Sequence, residues 1–144
     1  MNASTLVAPG TVATPSTNTL HNVAELAGRI LLSSLFVLSG LSKLGAYAGT
    51  VAYMSAMGVP SGLLPAVIGT ELLGGLAVAF GWKTRAAAFL LAGFSLLTGF
   101  LFHNNFADQI QMIMFLKNVS IAGGFLMLVA HGAGPLSLDR CFAK

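Results

Sequence analysis

Between about residue 23 and residue 130 the chain consists of four apolar runs, each about long enough to cross a bilayer as a helix, separated by short polar turns. A spanning helix needs about 20 predominantly apolar residues, and within hydrocarbon every backbone N–H and C=O must be satisfied inside the segment. The runs at 23–42, 63–80, 85–103 and 110–130 fit this demand, and together they form one domain over 22–139. The pattern predicts an all-α integral membrane fold, a four-transmembrane-helix bundle. Charged residues are only 8% of the chain, where soluble domains carry about 25%. The net charge of +3 is spread thinly over seven Lys and Arg, which excludes a basic nucleic-acid face. The only cysteine, Cys141, excludes an internal disulfide, and His21, His103 and His131 lack metal-ligand spacing.

Residues 1–21 are rich in Ser, Thr, Ala and Asn and are expected to form a disordered tail; they lack the basic start and apolar run of a signal peptide. Asn22 followed by Glu25 suits a capping box opening the first span. Arg29 and Lys43, 14 residues apart, lie about 21 Å apart along that helix and would mark the two edges of the hydrocarbon layer. The stretch 45–62 is too short and interrupted to span. Tyr47, Val51 and Met54 at helical spacing predict a short interfacial helix between the first two spans, ended by Gly58 and Pro60.

The second span, Pro65 to Phe80 at its heart, carries a single carboxylate, Glu71, on one face with Gly74, Gly75 and Val78. An ionisable group at that depth costs several kcal/mol unless it is paired, protonated or facing a wet cavity, which marks it as functional. The third span aligns Arg85, Ala88, Ala92, Ser95, Gly99 and His103; the fourth aligns Lys117, Ser120, Gly124 and His131. Small residues on such stripes let helix backbones approach. Residues 140–144 form a C-terminal tail. With four spans both termini share a side, and Lys83, Arg85, Arg140 and Lys144 on that side place it in the cytoplasm by the positive-inside rule.

On this topology the polar groups fall into two layers. The outer one gathers Lys43, Glu71, His103 and Lys117, with Asn118 beside the last. It reads as a partly wet pocket under the interfacial helix, able to hydrogen-bond a quinone carbonyl, a sulfur oxyanion or a carboxylate. It reads equally as a structural ion pair of Glu71 with Lys117 that fixes helix register. The inner layer of Glu25, Arg29, Arg85 and His131 reads as a structural charge layer, with Glu25 and Arg29 as an i,i+4 pair. There is no phosphate-binding loop, dinucleotide fingerprint, nucleophile elbow or zinc signature.

The order of several short motifs is similar to one known family. Gly28-Arg29, Leu38-Ser-Gly40-Leu-Ser-Lys43, Met57-Gly-Val-Pro60, Glu71-Leu-Leu-Gly-Gly75, Gly81-Trp-Lys-Thr-Arg85, Phe102-His103, Lys117-Asn118 and Gly134-Pro-Leu-Ser-Leu-Asp139 resemble the DoxX family of small membrane proteins. The resemblance implies a multi-pass protein of the bacterial inner membrane, described in that family as an oxidoreductase or the membrane subunit of a redox system. On this reading the chain has no intrinsic cofactor and binds a quinone or small oxidised ligand, with Glu71 and His103 as chemical groups and Lys43, Lys117 and Asn118 as ligand contacts. Partners would be the bilayer, a redox protein and further copies of the chain. The alternatives are a non-catalytic scaffold and a small oligomeric transporter.

Overall fold

The computed structural model describes residues 15–142, so the expected tail at 1–14 and the last two residues lie outside the described range. Six α-helices follow in order: α1 (Pro15–Gly45), α2 (Tyr47–Ala56), α3 (Leu64–Phe80), α4 (Thr84–Phe102), α5 (Gln109–His131) and α6 (Leu138–Phe142). A 3-10 turn at Ser61–Leu63 leads into α3. Among the described residues there is no strand. Four helical segments, in α1, in α3 with its leading turn, in α4 and in α5, are long and apolar enough to cross a membrane. Helix α2 is the short helix expected between the first two spans.

Helix α1 begins seven residues ahead of the expected start at residue 22. Proline at the first helical position sacrifices no intrahelical bond, and residues 16–21 contain no Gly or Pro to stop the helix propagating. Asn22 therefore lies inside the helix and caps nothing. Glu25 pairs with His21, one turn earlier, at 3.1 Å.

Packing is organised in two helix pairs, α1 with α3 and α4 with α5, joined through α3 and α4; α1 and α5 meet over a short stretch only. Glycines allow both close pairings. A Cβ on Gly75 would stand 2.9 Å from Val37 Cγ2, and one on Gly99 would stand 2.8 Å from the Cβ of Asn118. Lipid gives no hydrophobic drive between helices, so this intimate van der Waals contact is what holds the pairs. The central core is Phe36, Val78, Leu91, Ala92 and Phe125, with the Phe36 ring edge-on to Phe125 at 5.3 Å and to Phe94 at 6.4 Å. A second cluster, Met54 with Leu64 and Ile68, pins α2 across the start of α3.

The expected inward stripe of the fourth span is corrected. Helix α5 buries Ala122 and Phe125 and half-buries Asn118, while Lys117, Ser120 and His131 are exposed. Two contacts set its rotation: Phe125 fills the core against Phe36, and Asn118 seats on the bare backbone of Gly99. Gly124 alone of that stripe faces α1, with Leu32 against it.

The end of the bundle opposite α2 is closed by the chain after α5. Arg29, 2% exposed, donates to the carbonyl oxygens of Ala79 (3.3 Å), Leu136 (2.6 Å) and Ala133. Asp139 accepts from the backbone N–H groups of Lys83 (2.6 Å) and Thr84 (2.9 Å), capping the start of α4 from a distant part of the sequence. Burial pushes the Asp139 carboxyl up, but the Thr84 and Lys83 hydrogen bonds and the nearby Arg29 charge outweigh it, leaving the group below its ordinary value.

Candidate functional site

A cavity of about 360 Å³ lies between the two apolar clusters, within the usual size range of small-ligand sites. Helix α2 roofs it with Thr50, Tyr53 and Met54, and Phe36 and Phe94 line it from α1 and α4. The Tyr53 ring stacks on Phe102 at 5.5 Å, tying the roof to the end of α4. The walls are mainly apolar. All five residues expected in the outer polar layer, Lys43, Glu71, His103, Lys117 and Asn118, line this one cavity.

Glu71 is 5% exposed and lies midway along α3. Its partner is Lys43, whose Nζ donates to Oε1 at 2.8 Å and to Oε2 at 2.9 Å. Ser39 Oγ also donates to Oε1 at 3.2 Å and in turn accepts from Lys43 Nζ at 2.6 Å. The expected pairing of Glu71 with Lys117 is thus corrected. Close approach of α1 and α3 decides it: a Cβ on Gly40 would lie 2.7 Å from Leu72 Cγ and 3.4 Å from Glu71 Cβ, so the α1 lysine reaches the acid first. The Lys43 side chain remains 25% exposed.

His103 caps the C-terminal end of α4 and is half-buried, with Nδ1 2.8 Å from Gln111 Oε1 on α5. An amide oxygen can only accept, so this contact places the hydrogen on Nδ1 and leaves Nε2 as the imidazole's other hydrogen-bonding atom. Asn118 spends an amide hydrogen on its own helix, Nδ2 to Met114 O at 2.9 Å. Lys117 Nζ is 3.2 Å from Met114 Sδ and has no carboxylate partner among the described residues. The site therefore holds a bidentate ion pair, an imidazole fixed by a neighbour, and one ammonium bonded to a thioether.

The inner layer does not gather into a site. The expected Glu25–Arg29 pair does not form: Glu25 bonds His21, and Arg29 is consumed by carbonyl oxygens. Arg85 is exposed, and His131 hydrogen-bonds Met127 O at 3.0 Å on its own helix. Sequence reasoning missed Ser39, Tyr53 and Gln111. Ser39 was findable, since it stands one helical turn before Lys43 on the same face. Gln111 was not, because its contact with His103 depends on the geometry of the α4–α5 turn.

The DoxX family model matches residues 24–104. Over 125 residues the chain is 51% identical to the inner membrane protein YqjF of Escherichia coli, covering 87% of this chain and 96% of that one. It is 37% identical over 125 residues to the inner membrane protein YphA of E. coli, covering 82% and 89%. It is 32% identical over 75 residues to CatD of Bacillus subtilis, provisionally named an oxidoreductase, covering 52% and 56%. No solved structure matches.

Proposed function

The chain belongs to the DoxX family of inner-membrane proteins, and we propose that it is the membrane subunit of a redox system, holding a quinone or similar small oxidised ligand in the cavity under α2. One observation carries this reading. In a chain with so few polar groups in its spans, Lys43, Glu71, His103, Lys117 and Asn118 converge on one mainly apolar cavity. An apolar lining with a few placed polar groups is what a flat apolar ring with polarised oxygens requires. Lys117 Nζ donates to one of those oxygens, His103 Nε2, which carries no hydrogen while Nδ1 holds it, accepts from the hydroxyl of the reduced ring, and the Glu71 carboxylate, held by Lys43 and Ser39, serves as the proton partner. The similarity to CatD supports a redox setting. The lone Cys141 offers no dithiol, so a partner protein delivers the electrons in this scheme.

In the same reading both termini face the cytoplasm, because Lys83, Arg85 and Arg140 cluster at the end opposite α2. Titration of purified protein with decylubiquinone and with its reduced hydroxyl form tests the proposal. Thr98→Phe, which fills the cavity, should abolish binding of both, and Glu71→Gln and His103→Leu should each weaken binding of the reduced form about tenfold, the worth of one hydrogen bond to a charged or fixed group. Unchanged affinity in all three variants refutes it. A second reading, a scaffold without ligand, draws on the mutual satisfaction of Lys43 and Glu71; it predicts that these variants lose fold and expression together and that no quinone binds.

A further inference from the structure

The four carboxylates of the chain can be accounted for one by one. Glu25 bonds His21, Glu71 is held by Lys43 and Ser39, and Asp139 caps α4. Asp108 caps α5, accepting from Ile110 N at 2.8 Å and Gln111 N at 3.3 Å. None is left for Lys117, which stands eight residues into α5, about 12 Å from its first residue. The cavity is thus lined by two ammonium groups and one carboxylate, and that carboxylate is already bound to the other lysine. Lys117 is itself exposed on α5, and its stem can carry the ammonium toward the polar interface, but the cavity it lines keeps one positive charge that no side chain balances.

From this imbalance we propose that the occupant of the cavity is an anionic amphiphile: an apolar body ending in one deprotonated oxygen acid, such as a carboxylate or a phenolate, with Lys117 as its counter-ion. The inference rests on the occupied-cavity part of the function proposed above and replaces its neutral quinone with a ligand that carries a full charge. The apolar lining takes the body, and the Lys117 ammonium, whose hydrogen-bond partner is the weak acceptor Met114 Sδ, takes the head. The access route is lateral. Helices α1 and α5 touch at Leu32 against Gly124 and at Phe36 against Phe125. Beside these contacts, Leu35 of α1 (46% exposed) and Lys117 of α5 both line the cavity and both reach the surface, so the seam opens to the hydrocarbon where an amphiphile is dissolved.

The test is a calorimetric titration of full-length protein in phosphatidylcholine nanodiscs with dodecanoate and with dodecanol, which share a tail and differ in charge. Dodecanoate is expected to bind at least about tenfold more tightly, the usual worth of a charge-assisted hydrogen bond. Lys117→Met should reduce that preference below about twofold while leaving the thermal midpoint unchanged, and Lys117→Arg should retain it. Equal affinity for the two probes, with both lost in Thr98→Phe, overturns the anionic assignment and leaves the cavity in use. Binding of both probes undiminished in Thr98→Phe removes the cavity itself as the site and overturns both readings. Loss of the dodecanoate preference on adding phosphatidylglycerol assigns the counter-charge to lipid headgroups and also overturns the inference.

Discussion

The ion pair between Lys43 and Glu71 gives the sharpest test of how this bundle is held. Replacing Lys43 by Met leaves the Glu71 carboxylate 5% exposed, with Ser39 Oγ at 3.2 Å as its remaining side-chain donor. Stranding one charge of a buried pair costs about 3–5 kcal/mol. Replacing Glu71 by Gln strands the lysine instead, but its side chain is already 25% exposed and keeps Ser39 at 2.6 Å, so the loss should be about 1–3 kcal/mol. The double variant leaves no unpaired charge and should fall within about 1 kcal/mol of the wild type, since an apolar substitute for a buried pair is often neutral. The coupling energy of the cycle is then roughly 3 kcal/mol or more, at the upper end for residues in contact. Equilibrium unfolding in mild detergent micelles, followed by far-UV circular dichroism, measures all four corners. Additive single losses, or a loss in Lys117→Met equal to that in Lys43→Met, refute the pairing and restore the one expected from sequence.

Two further predictions concern packing and pH. Gly99→Ala puts a methyl 2.8 Å from Asn118 Cβ, an atom that cannot rotate away, so α4 and α5 must part and stability should drop by about 1–3 kcal/mol. Gly93→Ala meets nothing within 4 Å and should stabilise by about 0.5–1 kcal/mol in the same equilibrium unfolding; equal effects would contradict the close approach at Gly99. The lowered pKa of Asp139 means that its contribution to stability is present above the unfolded value of about 3.9 and is lost as pH falls through the lower folded value. Asp139→Asn should therefore cost about 1 kcal/mol at pH 7, as for a lost helix cap, and progressively less below about pH 4. A gap that stays constant across that range argues against the cap.

The spans were legible because lipid imposes a simple demand: four apolar runs of bilayer length admit few other folds, and Asn104–Asp108 and Gly81–Lys83 mark their turns. The buried face of α3 was legible for the same reason, with Glu71, Gly74, Gly75 and Val78 on one side. Helix rotation was not equally legible in α5, where polar and small residues occur on more than one face. Its inner face was settled by the volume of Phe125 and the seat of Asn118 on Gly99, contacts between segments far apart in sequence. The convergence of Lys43, Glu71, His103 and Lys117 on one layer could be read from helix lengths. Which cation takes the acid could not, because it turns on how closely Gly40 lets two helices approach. The start of α1 was missed because Pro15 can open a helix as readily as it can mark a loop.

The guanidinium of Arg29 has a consequence for biogenesis. Ribosomes deliver the first span early, yet two of the three carbonyls that satisfy its arginine, those of Ala133 and Leu136, are synthesised more than a hundred positions later. Until α5 has threaded and the segment after it has folded back, that cation sits within an apolar segment lacking those two acceptors. Completion of the polypeptide is thereby written into the assembly of its opening helix, and a nascent product cut short before position 133 would present quality-control proteases with an arginine short of two acceptors.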